Sequence, residues 1–103
     1  MSVIEMTAEN YDSLVSGGKP VLADFSAAWC GPCKMLSPLV DQLAEEKAGE
    51  ITVCKVDIDE QGVLADRFGV ESVPTLILFK NGQEADRLIG FRPISELRNF
   101  ISR

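Results

Sequence analysis

The chain has no histidine, one tryptophan, one tyrosine and three cysteines in 103 residues. A zinc site usually takes four ligands from Cys, His or carboxylate, and without histidine and with only one cysteine beyond the closest pair the chain is poorly supplied for one. Basic residues are scarce relative to acidic ones, ten against sixteen, giving a net charge of −6 and a pI near 4.5. That balance argues against nucleic acid and anionic membrane as partners, since both select basic patches. Long apolar runs are missing, none approaching the ~18 residues expected of a membrane span. Met1 to Asn10 has no basic leader and carries Glu5, so it does not read as a secretory signal. With few cysteines and no signal, the cytoplasm is the expected compartment, where paired thiols are more often catalytic or metal-binding than structural.

What is present is an ordinary globular composition, with 25% charged residues and aliphatic residues spread along the whole chain. Residues 1–103 fit one domain large enough to bury a core. Val3 to Met6 reads as a short strand, and Thr7 as the N-cap of a helix that closes at Gly17-Gly18. Val21 to Ala27 (VLADFSA) reads as a buried strand. From Pro32 to Lys47, Met35, Leu36, Leu39, Val40, Leu43 and Ala44 recur at helical spacing around Pro38. Ile51 to Val56 alternates as a strand, and Asp59 is placed to cap a short helix ending at Gly69. Thr75 to Phe79, the Asn81-Gly82 turn and Ala85 to Ile89 form a hairpin pattern. Pro93 then opens a helix with an apolar stripe of Ile94, Leu97, Phe100 and Ile101.

The order βαβαβαββα predicts an α/β fold, a mixed sheet of five strands flanked by four helices on both faces. Strands separated by helices are expected to run parallel and the closing hairpin antiparallel.

The chemistry concentrates in Trp29-Cys30-Gly31-Pro32-Cys33, where a buried strand hands over to a helix. Residues three apart in a first helical turn face the same way, which brings two sulfurs within bridging range. Cys30 would lie at the helix N-terminus, where free N–H groups and the dipole favour the thiolate that attacks disulfides. It alone combines that position with the exposed side of the turn. Pro32 suits a first turn that needs no N–H there. Half a zinc site, or two unreactive core thiols, are the alternatives. A purely structural bridge over so short a loop would restrict the unfolded chain little.

Over essentially its whole length the sequence resembles the thioredoxin family. The resemblance is carried by AxWCGPCK at Ala27 to Lys34, KVDID at Lys55 to Asp59, FGVESVPT at Phe68 to Thr75, FKNG at Phe79 to Gly82, and Gly90. It implies a thioredoxin fold and a protein-disulfide reductase cycling through a Cys30-Cys33 disulfide, Cys30 attacking and Cys33 resolving the mixed disulfide. Trp29, Gly31, Pro32, Val73, Pro74, Gly90 and Phe91 are then substrate-binding, with a cis bond before Pro74 and the backbone of Val73 pairing with the substrate chain. Disulfide-containing proteins are the implied substrates and a thioredoxin reductase the implied electron donor; a monomer without cofactor or metal is expected. The Gly31-Pro32 dipeptide resembles reducing members, whereas oxidising relatives more often carry histidine there.

Asp24 stands out on the residues alone, because a carboxylate inside VLADFS is buried if that strand is central. Desolvation would raise its pKa and make it a proton acceptor for Cys33, with Lys55 on a neighbouring strand as counter-charge. The alternative is an exposed strand end without a role. The resemblance favours the catalytic reading for both residues. Ser26, where the family usually has an aromatic residue, and Ala28, where a polar one is common, depart from the pattern. Cys54 reads as a small buried apolar residue, and Glu45, Glu46, Glu50 and Glu60 as a solvated face.

Overall fold

A computed structural model describes residues 3–103. Met1 and Ser2, part of the segment read above for a leader, lie outside the described residues. Five strands, β1 (Val3–Glu5), β2 (Val21–Ser26), β3 (Thr52–Asp57), β4 (Thr75–Lys80) and β5 (Gln83–Ile89), form one sheet in the order β1-β3-β2-β4-β5. The helices are α1 (Tyr11–Val15), α2 (Gly31–Glu46), α3 (Gly62–Arg67) and α4 (Ile94–Ile101). None of them is long and apolar enough to cross a membrane.

β2 lies at the centre, and all six of its residues are buried. The strand period of two divides them between two cores. Val21, Ala23 and Phe25 pack with Tyr11 and Val15 of α1, Leu64 of α3, and Cys54, Ile77 and Phe79. Leu22 packs on the other face with Leu36, Val40 and Leu43 of α2 and Leu97, Phe100 and Ile101 of α4. Asp24 and Ser26 follow Leu22 at intervals of two and therefore belong to the α2 face. Cys54 is fully buried, as expected of a small apolar residue, and burial pushes its thiol up to about 12.

Several expectations need correction. β4 follows a helix, yet it pairs antiparallel with β2, Phe25 standing opposite Thr75. α3 advances the chain only about 9 Å over six residues, whereas a six-residue strand spans about 20 Å. The chain therefore enters β4 from the end at which it left β3. The pairs β1-β3 and β2-β3 are parallel, and β4-β5 is antiparallel.

Regular helix α1 begins at Tyr11 rather than just after Thr7. Thr7 and Asn10 first close a turn through reciprocal bonds, Thr7 N–H to Asn10 Oδ1 (2.7 Å) and Asn10 N–H to Thr7 Oγ1 (3.2 Å). Asp59 does not cap α3, whose N-cap is Gln61. Asp57 Oδ1 instead accepts the N–H groups of Asp59 (2.9 Å) and Glu60 (3.3 Å) ahead of that helix. Glu46 is more than a solvated charge: Arg98 of α4 donates to both its carboxylate oxygens (3.0 and 2.6 Å), and Gln42 donates to one of them. These bonds hold its carboxyl down at about 2, the Arg98 contact contributing most. They tie the end of α2 to α4.

Candidate active site

The site forms where β2 gives way to α2. The N–H of Cys30 donates to the Ala27 carbonyl at 3.2 Å, closing the turn, and Cys30 becomes the N-cap with extended backbone angles (φ −94°, ψ 116°). Its Sγ accepts the Cys33 N–H at 3.2 Å. A serine or threonine oxygen makes the same bond at an ordinary cap, so a sulfur occupies the position where the helix end stabilises negative charge. Pro32 sits in the first turn, and the helix continues through Pro38. The Cα atoms of Cys30 and Cys33 are 5.3 Å apart and the two sulfurs lie at disulfide distance, within the reach of an unstrained backbone.

Both cysteines are only 5% exposed. The expected difference in exposure is therefore absent, because Ala27, Ile58 and Val73 pack over the pair. The asymmetry lies in hydrogen bonding: Cys30 Sγ takes the helix N–H and rests 3.7 Å from the Val73 carbonyl oxygen.

Around the pair, sequence-distant segments converge. The Val73-Pro74 bond is cis. The Gly90 N–H donates to the Pro74 carbonyl at 2.8 Å, which brings Gly90 and Phe91 beside the Pro74 loop. Gly90 has φ +94°, a conformation that side-chain-bearing residues rarely adopt. Trp29 is 68% exposed, so it is not core packing, and its indole N–H donates to Asp59 Oδ2 at 2.8 Å. Together with exposed Ile89 and Phe91 it presents apolar surface near the cysteines.

Asp24 is 1% exposed, and its Oδ1 has no hydrogen-bond partner. Burial drives its pKa up to about 6; Lys55 opposes that rise and Asp41 adds to it. Lys55 is the register partner of Asp24 on β3, but its ammonium donates to Ser37 Oγ of α2 at 3.0 Å. A groove of about 750 Å³ opens beside these residues, lined by Cys33, Ser37, Asp41 and Lys55 among others. Ser26 and Ala28 also line it, and their small side chains leave it open next to Cys33.

Sequence reasoning missed Ile58, Asp59, Ser37 and Ile89. Asp59 reaches Trp29 across 30 residues, and no local pattern signals that contact. Ser37 is different. It lies four residues after Cys33 on the same helix, a spacing that puts both on one face.

The Thioredoxin family model matches residues 2–103. The chain is 44% identical to a thioredoxin of Alicyclobacillus acidocaldarius over 93% of its own length and 91% of that protein. It is 41% identical to the chloroplastic thioredoxin M5 of Oryza sativa, covering 98% of this chain and 59% of that longer protein. A mutant thioredoxin from Halobacterium salinarum has a structure that superposes with a TM-score of 0.86 at 40% identity, covering 98% of this chain and 87% of that one. With a sulfur-capped helix, a bridged CGPC pair and relatives of this kind, the chain belongs to the thioredoxin family and is a thiol-disulfide oxidoreductase.

Proposed function

We propose that the protein reduces disulfides in other proteins, with Cys30 as the attacking and Cys33 as the resolving residue. The Cys30 thiolate attacks one sulfur of a substrate disulfide; that bond breaks, a Cys30-substrate disulfide forms, and one substrate thiolate leaves. Cys33, deprotonated, attacks the Cys30 sulfur and expels the second substrate thiolate. Two electrons pass to the substrate and the Cys30-Cys33 disulfide remains. The observation that carries this assignment is the Cys30 sulfur at the N-cap of α2, accepting the Cys33 N–H.

Asp24 accepts the proton that Cys33 loses, which suits a buried carboxyl whose pKa is about 6. Lys55 sets how readily Asp24 does so. Substrate lies in extended form against the backbone of Val73 as an added strand, with Trp29, Gly31, Pro32, Pro74, Gly90 and Phe91 as its apolar floor. Members of the family act on disulfides and are recharged by reductases. For this chain we assign protein disulfides as substrates, a thioredoxin reductase as donor, a monomeric single domain over residues 1–103, and the cytoplasm as compartment; the relative from rice is chloroplastic.

Trapping distinguishes the two thiols. Cys33→Ser, incubated with a disulfide-containing protein, accumulates a mixed disulfide that survives non-reducing electrophoresis, while Cys30→Ser does not. Equal trapping by both variants contradicts the assignment.

A further inference from the structure

Lys55 makes an unexpected choice of partner. It stands opposite Asp24 in the β2-β3 register, yet its ammonium bonds the neutral Ser37 hydroxyl at 3.0 Å. Asp24 Oδ1 has no hydrogen-bond partner, and no ion pair joins Asp24 to Lys55 among the described residues. Ser37 is on α2, one turn beyond Cys33, and both line the groove that contains Lys55.

We propose that Ser37 is a positioning residue that diverts the Lys55 ammonium from Asp24, so that the two do not close into an ion pair. A hydroxyl accepts the ammonium's hydrogen bond without favouring the ionised form of Asp24. If the hydroxyl is removed, the ammonium needs another acceptor. The carboxylates lining the groove are Glu5 from β1, Asp57 from β3 and Asp41 from α2, and all three have more access to water than Asp24. Attraction to a desolvated carboxylate is the stronger pull, because water screens it less.

The remaining charged or titratable groups lining the groove are Lys34 and Cys33 of α2. β4 sets Leu76 opposite Asp24, and α4 contributes Leu97, Phe100 and Ile101 to that face. Lys55 is thus the cation across the strand register, and the position of its ammonium sets how tightly Asp24 holds a proton.

The consequence for turnover rests on the reading of Asp24 as proton acceptor, but the positioning itself is measured on the carboxyl. The test is a carbon-13 NMR titration of Asp24 in the oxidised protein, where the bridged cysteines do not titrate. Ser37→Ala is compatible with a helix, alanine being the best helix former. It is expected to lower the Asp24 midpoint by about one pH unit, a tenfold change in proton affinity. Ser37→Thr keeps the hydroxyl and restores the midpoint. In a Lys55→Met background, Ser37→Ala leaves the midpoint where Lys55→Met alone puts it. An unchanged or raised midpoint in Ser37→Ala, or a shift that persists without Lys55, overturns the proposal. If the midpoint falls as expected while the pH dependence of Cys33 resolution does not move, positioning by Ser37 stands and the proton-acceptor role of Asp24 fails.

Discussion

Asp24 is a carboxyl within a strand buried on both faces, and its energetics follow from that placement. In the unfolded chain it titrates near ~3.9, in the folded protein at about 6. Between those values the folded state binds more protons. The stability that the neutral acid contributes is therefore complete below the unfolded pKa and lost as pH rises through about 6. The difference of about two units corresponds to roughly 3 kcal/mol. Asp24→Asn, close in shape but unable to ionise, is expected to match the wild type at pH 4 and to exceed it by up to roughly 3 kcal/mol at pH 8, measured by urea unfolding across that range. A difference that does not vary with pH contradicts the burial argument. Asp24 and the two cysteines were legible in the sequence because their signals are local, a charge inside an apolar strand and a spacing at a strand-helix junction. The Trp29-Asp59 and Lys55-Ser37 bonds were not, since each joins elements that only the folded chain brings together.

At the scale of elements, turns decide where strands begin. Asn81 and Gly82 both have positive φ, +55° and +79°, the pair that the tight hairpin turn requires. A Cβ on Gly82 would meet nothing closer than the Val15 carbonyl oxygen at 4.0 Å, so Gly82→Ala carries a backbone cost alone, about 1 kcal/mol. Gly62 opens α3, with ordinary φ and open space around it; Gly62→Ala is expected to stabilise by up to about 1 kcal/mol. Thermal unfolding of the two variants should move the midpoint in opposite directions, and a shift of the same sign in both contradicts the account. Apolar patterning marked β2, α2, β3, β4 and α4, while cap and turn signals marked the shorter elements. The direction of β4 was not legible, because it depends on α3 being too short to carry the chain back along the sheet. The caps before α1 and α3 were misjudged for a related reason: Thr7, Asn10 and Asp57 bond backbone in turns that precede the regular helices.

For the whole molecule, one sheet places every part of the site at the end where β2 finishes and β4 begins. β2 delivers Asp24 and the turn into Cys30; β3 delivers Lys55 and, beyond it, Asp59; the segment before β4 delivers Val73 and Pro74; and β5 delivers Gly90. These residues are spread over most of the chain, yet the strand order gathers them around two sulfurs. On the proposed function, this arrangement transfers electrons from a small dithiol to a protein disulfide through Cys30. The most direct measurement is the reduction of insulin by dithiothreitol, followed by the turbidity of the freed B chain. The wild type should shorten the lag before precipitation in proportion to its concentration, and Cys30→Ser should leave it at the uncatalysed value. A wild type that leaves the lag unchanged, or a Cys30→Ser variant that shortens it equally, would contradict the account.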